Sequence, residues 1–208
     1  MLTIILVHSA LLGRAQNQWK LKLEREEIKI YTRPYADSKI KALKVVCTVQ
    51  ATLSQITAVL VDIKSQDEWF YHTKSNVLHQ ISASELYYYS ELIFPFPFDN
   101  RDFIEHIKVC QNPITKVVIM DVHNVPDYIA TKQGIVRVLK SSCKWVITPA
   151  GGDLNTIEFT LFADPGGSIP AWIINIFSSY GPFETFRKLR VQLHKPEYVN
   201  MHLSYISD

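Results

Sequence analysis

Apolar and polar residues alternate along most of this chain, and the alternation predicts β-strands. In one run, Leu43, Val45, Cys47 and Val49 occupy every second position, which places them on one face of a strand. Polar segments and segments with glycine or proline separate such runs, as turns do between strands. We predict about nine strands, at residues 20–26, 28–34, 39–50, 77–82, 86–94, 101–110, 116–122, 134–148 and 154–163.

Two segments instead repeat their apolar residues at spacings of three and four, which predicts helices. The first starts at Thr52 and ends near Trp69. The second closes the chain, and its apolar residues run from Ile169 to Leu193. A helix with one apolar face needs an apolar surface to cover it. We therefore predict that the second helix lies on the sheet and that the chain forms an antiparallel α+β domain.

The segment before the second helix has the residues of a turn and of a helix start. Asp164-Pro-Gly-Gly167 favours a turn, because proline fixes φ and glycine accepts positive φ. Ser168 is the expected N-cap, with Pro170 in the first turn of the helix. Further along, Gly181-Pro182 predicts a kink.

A twisted sheet around one long helix need not be filled completely, and an apolar cavity can remain between the two. Such cavities are where small ligands bind. Three small residues at predicted inward positions, Ser90, Ser141 and Cys143, favour a cavity. A filled core would instead indicate a protein-interaction role.

Composition narrows the classes of function. Hydrophobic residues make up 47% and charged residues 20% of the 208 residues, as in an ordinary globular domain. A net charge of +2 without a basic run gives no reason to expect a nucleic-acid partner. Cys47, Cys110 and Cys143 are too few and too scattered for a disulfide framework or a zinc site. We expect them to be buried strand residues, with one disulfide at most.

The first fifteen residues differ from the rest. Leu2–Leu12 is an apolar run, and Gly13-Arg14-Ala15 has the small residues of a cleavage site. We predict a signal peptide at residues 1–15 and a single mature domain at 16–208, exported to the periplasm or secreted. The alternative is a buried first strand or a disordered start, in which case the protein would be cytoplasmic. No later segment is apolar over the length needed to span a membrane.

The sequence contains no pattern typical of catalysis or metal binding. The nucleophile motif G-x-S-x-G, the phosphate-binding glycine loop and H-E-x-x-H are all absent. His72 and His79 are seven residues apart, and His106 and His123 are far off in sequence, so we expect isolated histidines. We predict no catalytic residue, no cofactor and no metal.

Charged residues on one predicted strand are candidates for polar groups inside the domain. If Phe103 points inward, alternation places Arg101 and Glu105 on the same face. A carboxylate inside an apolar cavity is costly unless it is paired or hydrated. Glu105 could face Arg137, or it could anchor a ligand. The alternative for Arg101, which Asp102 follows, and for Arg137 is a structural role. Each side chain would then lie at the end of a strand, partly exposed to solvent.

Four motifs in order resemble the START family, the StAR-related lipid transfer domains. Asp164-Pro-Gly-Gly-Ser-Ile-Pro-Ala-Trp-Ile-Ile-Asn175 resembles the start of that family's last helix. Pro95-Phe-Pro-Phe-Asp-Asn-Arg-Asp-Phe103 is similar to its proline loop and Arg-Asp strand. Gly134–Val138 and the helix ending in Trp69 fall in matching order. The resemblance covers the chain from Trp19 to Leu193 and is nearest to the phosphatidylcholine-transfer branch.

The resemblance implies a helix-grip fold of the Bet v1-like superfamily, in which a curved antiparallel sheet grips the C-terminal helix over a tunnel for one lipid-sized ligand. It implies gating by that helix and by the loop at residues 95–100. Without the resemblance, the aromatic stripe of the helix would be interpreted as plain core. By position, the implied ligand-contacting residues are Trp69, Tyr88, Ser90, Phe103, Glu105, Ser141, Trp145, Phe159, Leu161, Trp172, Ile176, Phe177 and Tyr180.

The chain departs from the phosphatidylcholine-transfer branch where the polar end of the ligand would bind. That branch is expected to hold the phosphate with an arginine and to cage the choline with aromatic rings. The corresponding positions here carry Gln66, Ser90, Glu105 and Ser141, and only Phe103 is aromatic. We therefore expect a lipid or sterol-like ligand that is apolar or weakly polar, with Glu105 or a serine as its hydrogen-bond anchor.

The predicted function is binding, and possible transfer, of one hydrophobic ligand by a non-catalytic monomer. Phe94, Phe96 and Phe98 in and beside the proline loop could contact a membrane surface during exchange. The alternative is an enzyme on the same fold, similar to polyketide cyclases and aromatases. Such an enzyme would need an acid or base with a perturbed pKa, such as Glu105, inside the cavity.

Overall fold

The computed structural model of the protein describes residues 18–35, 38–167 and 169–208. The predicted signal peptide at residues 1–15 and the predicted cap at Ser168 lie outside the described residues. Within these ranges the strands follow the alternating runs of the sequence. They are β1 (Lys20–Arg25), β2 (Ile28–Tyr35), β3 (Ser38–Gln50), β4 (Thr73–Ser82), β5 (Glu85–Leu92), β6 (Asn100–Gln111), β7 (Val118–Asn124), β8 (Ile135–Arg137), β9 (Lys140–Gly151) and β10 (Leu154–Asp164).

Helical elements occupy the two segments that the spacing of apolar residues predicted. Thr52 caps the first of them, because its side chain accepts a hydrogen bond from the Gln55 N–H. In chain order the elements are α1 (Leu53–Val61), a 3₁₀ turn (Ile63–Ser65), α2 (Gln66–Trp69), α3 (Ala171–Asn175), a π-helical turn (Ile176–Tyr180) and α4 (Gly181–Leu193). The last three are continuous and form the long C-terminal helix.

The described strands form one sheet in the order β1-β2-β3-β10-β9-β7-β6-β5-β4, with β8 beside β6. Every pair is antiparallel except β8 and β6. The prediction of one strand at residues 134–148 is therefore wrong, because β8 and β9 divide it. Besides the parallel backbone pairing, two interactions hold β8 against β6: the Arg137 side chain binds the Asp102 carboxylate, and the Val138 N–H donates to the Asp102 carbonyl at 2.9 Å.

The C-terminal helix packs its apolar residues on the concave face of the curved sheet. Phe186 of α4 stacks on Trp145 of β9 with 5.6 Å between ring centroids, and Trp145 contacts Phe159 of β10 at 4.3 Å. Leu189 and Leu193 are buried in the same core. Burying each such side chain contributes roughly 1.5–3 kcal/mol. This packing confirms the predicted helix-grip α+β fold.

The turn before the helix has the predicted conformation, but the prediction that Pro170 lies in the first helical turn is wrong, because Pro170 is the extended N-cap residue and the helix begins at Ala171. Gly166 and Gly167 have φ values of 66° and 63°, a region that glycine enters without steric cost. The Gly166 N–H donates to the Asp164 side chain at 3.1 Å. A π-helical turn ends at Tyr180, the residue before the Gly181-Pro182 pair at which the sequence predicted a kink.

The cysteines only partly match the expectation. All three are free thiols; Cys47 is buried and Cys143 is half-buried, but Cys110 is exposed. The prediction of a buried residue is wrong for Cys110, because its position on β6 points away from the core-facing Val109. Among the described residues, no cluster of His, Cys, Asp or Glu side chains could hold a metal ion. No helix in those ranges is long and apolar enough to cross a bilayer.

Candidate ligand-binding cavity

A cavity separates the C-terminal helix from the concave face of the sheet. Its larger part, the main chamber, has a volume of about 620 Å³. A smaller part of about 90 Å³, the inner chamber, lies beside Trp69 and Glu105. Together they fall in the range of roughly 300–1,000 Å³ that is usual for small-molecule sites. The two chambers share a wall, formed by Phe70, Leu92, Phe103, Phe159 and Leu161.

The inner chamber holds a buried carboxyl group. Tyr88 and Glu105 face each other across β5 and β6, and the Tyr88 hydroxyl donates to Glu105 Oε2. Gln66 of α2 reaches the same chamber and accepts a hydrogen bond from the Ser75 hydroxyl of β4. Ser90 also lines this end. A carboxyl group, a phenol, an amide and a hydroxyl thus meet in an otherwise apolar pocket.

Burial controls the electrostatics of the inner chamber. It raises the pKa of Glu105 to about 7, although the hydrogen bond from Tyr88 acts in the opposite direction. Burial, and then the neighbouring Glu105 charge, raise the pKa of Tyr88 and of Cys143 well above their ordinary values. Near neutral pH the Glu105 carboxyl can therefore donate or accept a hydrogen bond.

Trp69 adds a donor to this chamber. Its side chain is only 1% exposed, and its indole N–H is buried without a hydrogen-bond partner among the described residues. Buried polar groups are normally paired. A carbonyl or hydroxyl group of a ligand in the inner chamber could accept this hydrogen bond.

We place the opening of the main chamber, here called the mouth, where wall residues of β1, β3 and the first part of the C-terminal helix are exposed. Phe94 and Arg101 also line this chamber, and the proline loop lies between them in the chain. Phe94 lies between two other side chains: the Arg101 guanidinium is 4.5 Å from its ring centroid, and the Phe177 ring stacks on it at 4.7 Å. Arg101 also donates to the carbonyls of Asp99 at 2.5 Å and Pro165 at 3.2 Å. It therefore joins the proline loop to the turn before the helix. The prediction that Arg101 is partly solvated is wrong, because these contacts leave the residue only 5% exposed.

Aromatic side chains that are exposed or half-buried lie beside the mouth. Phe96, at the tip of the proline loop, is 97% exposed. Phe98 packs edge-on against Trp172 at 6.4 Å, and both Trp172 and Tyr180 of the helix are about half exposed. We call these four residues the rim aromatics. An exposed aromatic patch of this kind is typical of a surface that contacts a partner or a membrane.

Asp102 and Arg137 form an ion pair on the other face of β6. Arg137 Nε is 2.8 Å from Asp102 Oδ1, and its second nitrogen is 3.1 Å from Oδ2. Arg137 also donates to the carbonyls of Pro126, Ile129 and Ala130. The suggestion that Arg137 faces Glu105 is therefore wrong, because the break between β8 and β9 turns Arg137 towards Asp102. The pair fixes the loop at residues 125–134 against the sheet.

Most of the predicted ligand-contacting residues do lie on the cavity wall, although contact with a ligand remains a prediction. They come from α2, from four strands and from the C-terminal helix, so the fold brings together residues that are far apart in sequence. The residues on the wall are Trp69, Tyr88, Ser90, Phe103, Glu105, Trp145, Phe159, Leu161 and Phe177.

Three predicted helix positions lie off the wall. Trp172 and Tyr180 are 52% and 53% exposed. Ile176 is half-buried but lines neither chamber. Ile173 and Ile174 take their place. The π-helical turn is the physical reason. Because it contains an extra residue, it rotates the preceding part of the helix by about 100° relative to an uninterrupted α-helix.

Ser141 is a further correction. It lies opposite Ala163 on β10, which is a wall residue, but Ser141 itself does not line either chamber. Its hydroxyl is buried without a hydrogen-bond partner among the described residues.

Sequence reasoning missed three lysines at the mouth, namely Lys20, Lys22 and Lys41. The signal for Lys41 was present, because it precedes the inward-facing Leu43 by two residues. The position of Lys22 could not be found this way, because a shift in the β1–β2 register occurs there.

Comparison with known proteins gives consistent matches. A sequence model of the START domain matches residues 3–197. An uncharacterized protein of Pseudomonas aeruginosa is 28% identical over 198 residues, which cover 93% of this chain and 98% of that protein. The phosphatidylcholine transfer protein of Bos taurus is 26% identical over 163 residues, which cover 76% of this chain and 75% of that protein.

Solved structures agree with these matches. The crystal structure of a STAR-related lipid transfer protein fragment from Xanthomonas axonopodis has a TM-score of 0.77 and 28% identity, and the match covers 85% of this chain and 99% of that one. The Zhui aromatase/cyclase of a Streptomyces species has a TM-score of 0.51 at 11% identity over 73% of this chain and 92% of that one. The latter likeness shows a shared fold alone.

Proposed function

Because this chain belongs to the START domain family, we propose that it binds one lipid-like ligand in the cavity between the sheet and the C-terminal helix. The observation that carries the proposal is the cavity itself, which is about 620 Å³ in the main chamber and lined mostly by apolar side chains. Burial of apolar ligand surface gives about 25 cal/mol per Å², so a few hundred Å² would contribute several kcal/mol.

The part of the ligand that reaches the inner chamber differs from the polar end of phosphatidylcholine. The bovine relative is a phosphatidylcholine transfer protein. In the inner chamber of this chain, however, the charged group among the described residues is a carboxyl, Glu105. A carboxyl that is partly ionised near neutral pH repels a phosphate and accepts hydrogen bonds. We propose that the inner chamber takes a weakly polar group, such as a hydroxyl or carbonyl.

Exchange of the ligand would occur at the mouth. The stack of Arg101, Phe94 and Phe177 joins the loop, the sheet and the helix, so an opening of the mouth has to separate these rings. The rim aromatics would insert into the interfacial region of a bilayer, where amphipathic aromatic rings are favoured. This would bring the mouth next to the lipid.

Native mass spectrometry of the purified full-length protein tests the proposal, followed by organic extraction of whatever it releases. We expect a lipid-like molecule bound at one per chain. A protein that carries no ligand, and that also fails to bind a panel of fluorescent lipids, would contradict it.

A cyclase-like enzyme is the second candidate, because the Glu105 carboxyl with a pKa near 7 lies inside the cavity and could act as an acid or base. We favour the non-catalytic function, since the family match is to lipid-transfer proteins and the aromatase/cyclase likeness concerns the fold alone. Incubating the extracted ligand with the protein separates the two: an unchanged mass and chromatographic retention support binding, and a converted product, including an isomer of the same mass, supports the enzyme.

Export, a single mature domain at residues 16–208 and a monomeric state are also proposals. The START match begins at residue 3, inside the predicted signal peptide. Identifying the first residue of the mature protein therefore decides whether residues 1–15 are a cleaved leader or part of the domain. N-terminal sequencing of the protein from its native host should find Gln16 if the leader is cleaved; a start at Met1 would contradict export. Light scattering during gel filtration checks the monomer.

A further inference from the structure

The mouth of the main chamber carries positive charge. Lys20, Lys22, Lys41 and Arg101 belong to its wall. The described wall residues of this chamber include no aspartate or glutamate. The rest of the wall is apolar or neutral, so the charges that the wall itself carries are all positive.

Two of the lysines face the cavity because of strand alternation. Lys41 is two residues before Leu43, which is itself a wall residue, and residues two apart point to the same face. Lys20 pairs with Thr32 across β1 and β2, and Thr32 lies on the wall. Cross-strand partners project on the same side of a sheet. Lys20 and Lys41 are therefore part of the cavity face.

Lys22 faces the mouth for a different structural reason. The β1–β2 register shifts between Leu21 and Leu23, and such a bulge redirects the side chain of the extra residue. Lys22 Nζ donates to the Ser178 hydroxyl at 2.6 Å. Ser178 belongs to the π-helical turn. This hydrogen bond spans the opening between the edge of the sheet and the helix.

The lysines at the mouth interact unfavourably with one another. Burial, and then the charge of Lys41, lower the pKa of Lys22. Lysines on an edge strand can serve to prevent edge-to-edge aggregation, which would explain Lys20. It does not explain Lys41, because β3 lies inside the sheet between β2 and β10. An anion between Lys22 and Lys41 would relieve their repulsion.

We propose that the ligand is an amphipathic anion, with its acidic group at the mouth between Lys22 and Lys41 and its apolar part in the main chamber. This inference rests on the proposed function, since it names the ligand class of the same cavity. The orientation follows from the charges at the two ends. Cations attract the acidic group at the mouth, and the Glu105 carboxyl repels it from the inner chamber. A carboxylate or a phosphate monoester at the end of a long apolar chain has this chemistry.

Two matched sets of probes test the proposal on the full-length protein. Anilinonaphthalene sulfonate and phenylnaphthylamine are fluorescent reporters that differ by a sulfonate group. Oleate, oleyl phosphate and oleyl alcohol, used as competitors, share one chain and differ in the polar group. Binding is measured to the wild type, to Lys22→Gln/Lys41→Gln, and to the control Lys74→Gln, which removes one charge from an exposed position on the opposite edge strand β4.

We expect the anions to bind the wild type more tightly than the neutral probes. The double variant should lose about tenfold or more in affinity for the anions, since it removes charge-assisted contacts, while its affinity for phenylnaphthylamine and oleyl alcohol stays unchanged. The control should behave as the wild type. Raising the salt concentration should weaken oleate binding but not oleyl alcohol binding. The ratio of oleate to oleyl phosphate affinity identifies the preferred acid.

Several results would overturn the inference. If the double variant and the wild type bind the anions with equal affinity, the lysines have no role in ligand binding, although the cavity still binds its ligand. Equal losses for charged and neutral probes would show that the lysines only support the structure. A double variant that binds oleate normally, but sediments less with phosphatidylglycerol vesicles, would assign the lysines to membrane contact. If no probe binds the wild type, the proposed function itself fails.

Discussion

The two ends of the cavity are built from different parts of the fold. The inner chamber lies against β5, β6 and α2, and its polar side chains, Tyr88, Glu105 and Gln66, are all buried. The mouth is formed by the edge strand β1, the start of β3 and the π-helical turn, with the proline loop next to its wall residues Phe94 and Arg101. Most of its side chains are exposed or half-buried, as for Phe96 and Lys22, although Phe94 and Arg101 are buried.

We infer that the two ends of the cavity have different functions. Groups fixed by paired strands on both sides keep their geometry, so the inner chamber can select a ligand by shape and hydrogen bonding. Loops, edge strands and helix irregularities open at lower free-energy cost than core strands. The mouth is therefore the part expected to control ligand entry and exit. Substitutions around the inner chamber should mainly change stability, and substitutions at the mouth should mainly change exchange.

The largest loss of stability is expected behind the inner chamber, for Asp102→Ala. The substitution leaves the Arg137 guanidinium buried without its carboxylate partner, which costs about 3–5 kcal/mol of unfolding free energy. Urea denaturation measures this loss. The matched control is Asp121→Ala, which breaks the exposed pair with Lys144 at 3.0 Å and should cost less than about 1 kcal/mol. Similar losses for both variants would contradict a special role of the buried pair.

Glu105→Gln should change how stability depends on pH. The pKa of Glu105 is about 7 in the folded protein and about 4.3 in an unfolded chain. Between these values the folded state binds the proton more tightly, so stability falls as the pH rises through this window. The loss reaches about 4 kcal/mol above the folded pKa. The variant removes this loss and should be more stable than the wild type by about that amount near pH 8.

The same comparison near pH 4 should show almost no difference, because Glu105 is then protonated in both states. Glu158→Gln is the control: Glu158 lies on the exposed side of β10 near Lys44, and it should change stability by less than about 0.5 kcal/mol at either pH. A constant difference between Glu105→Gln and the wild type across this range would exclude a raised pKa in the inner chamber.

Gly181→Ala tests the packing next to the π-helical turn. A methyl group at Gly181 would lie 2.9 Å from Cδ1 of Tyr71, and such overpacking costs roughly 1–3 kcal/mol. Alanine regains about 1 kcal/mol through helix propensity. We expect a net loss of about 1 kcal/mol in thermal or urea unfolding. In a Tyr71→Ala background the same substitution should become stabilising, and a loss that persists there would show that Tyr71 is not the obstacle.

Phe96→Asp should have the smallest effect on stability and a clear effect on exchange. Phe96 is 97% exposed, so the unfolding free energy should change by no more than about 0.5 kcal/mol. Transfer of a fluorescent lipid between vesicles should slow, because a charge replaces a ring that would enter the bilayer interface. Ile114→Asp, at an equally exposed turn between β6 and β7, is the control. Equal transfer rates for all three proteins would remove the proline loop from the exchange step.

The strands, the two helical segments and the glycine turn could be predicted because they depend on local sequence. Alternating apolar residues indicate a strand, and spacings of three and four indicate a helix, because each pattern gives that backbone conformation one continuous apolar face. The turn at Gly166-Gly167 follows from the conformational freedom of glycine. Since the motifs of Pro95–Phe103 and Asp164–Asn175 are also local, the family could be identified from them.

The tertiary structure decided the contacts that depend on register. Asp102 could find Arg137 only after the predicted strand at 134–148 broke into β8 and β9. The extra residue of the π-helical turn turned Ile173 towards the cavity and Trp172 towards solvent. The bulge at Lys22 placed that side chain across the mouth. A single inserted residue reverses a strand face or rotates a helix face, and no periodic pattern in the sequence records where it occurs.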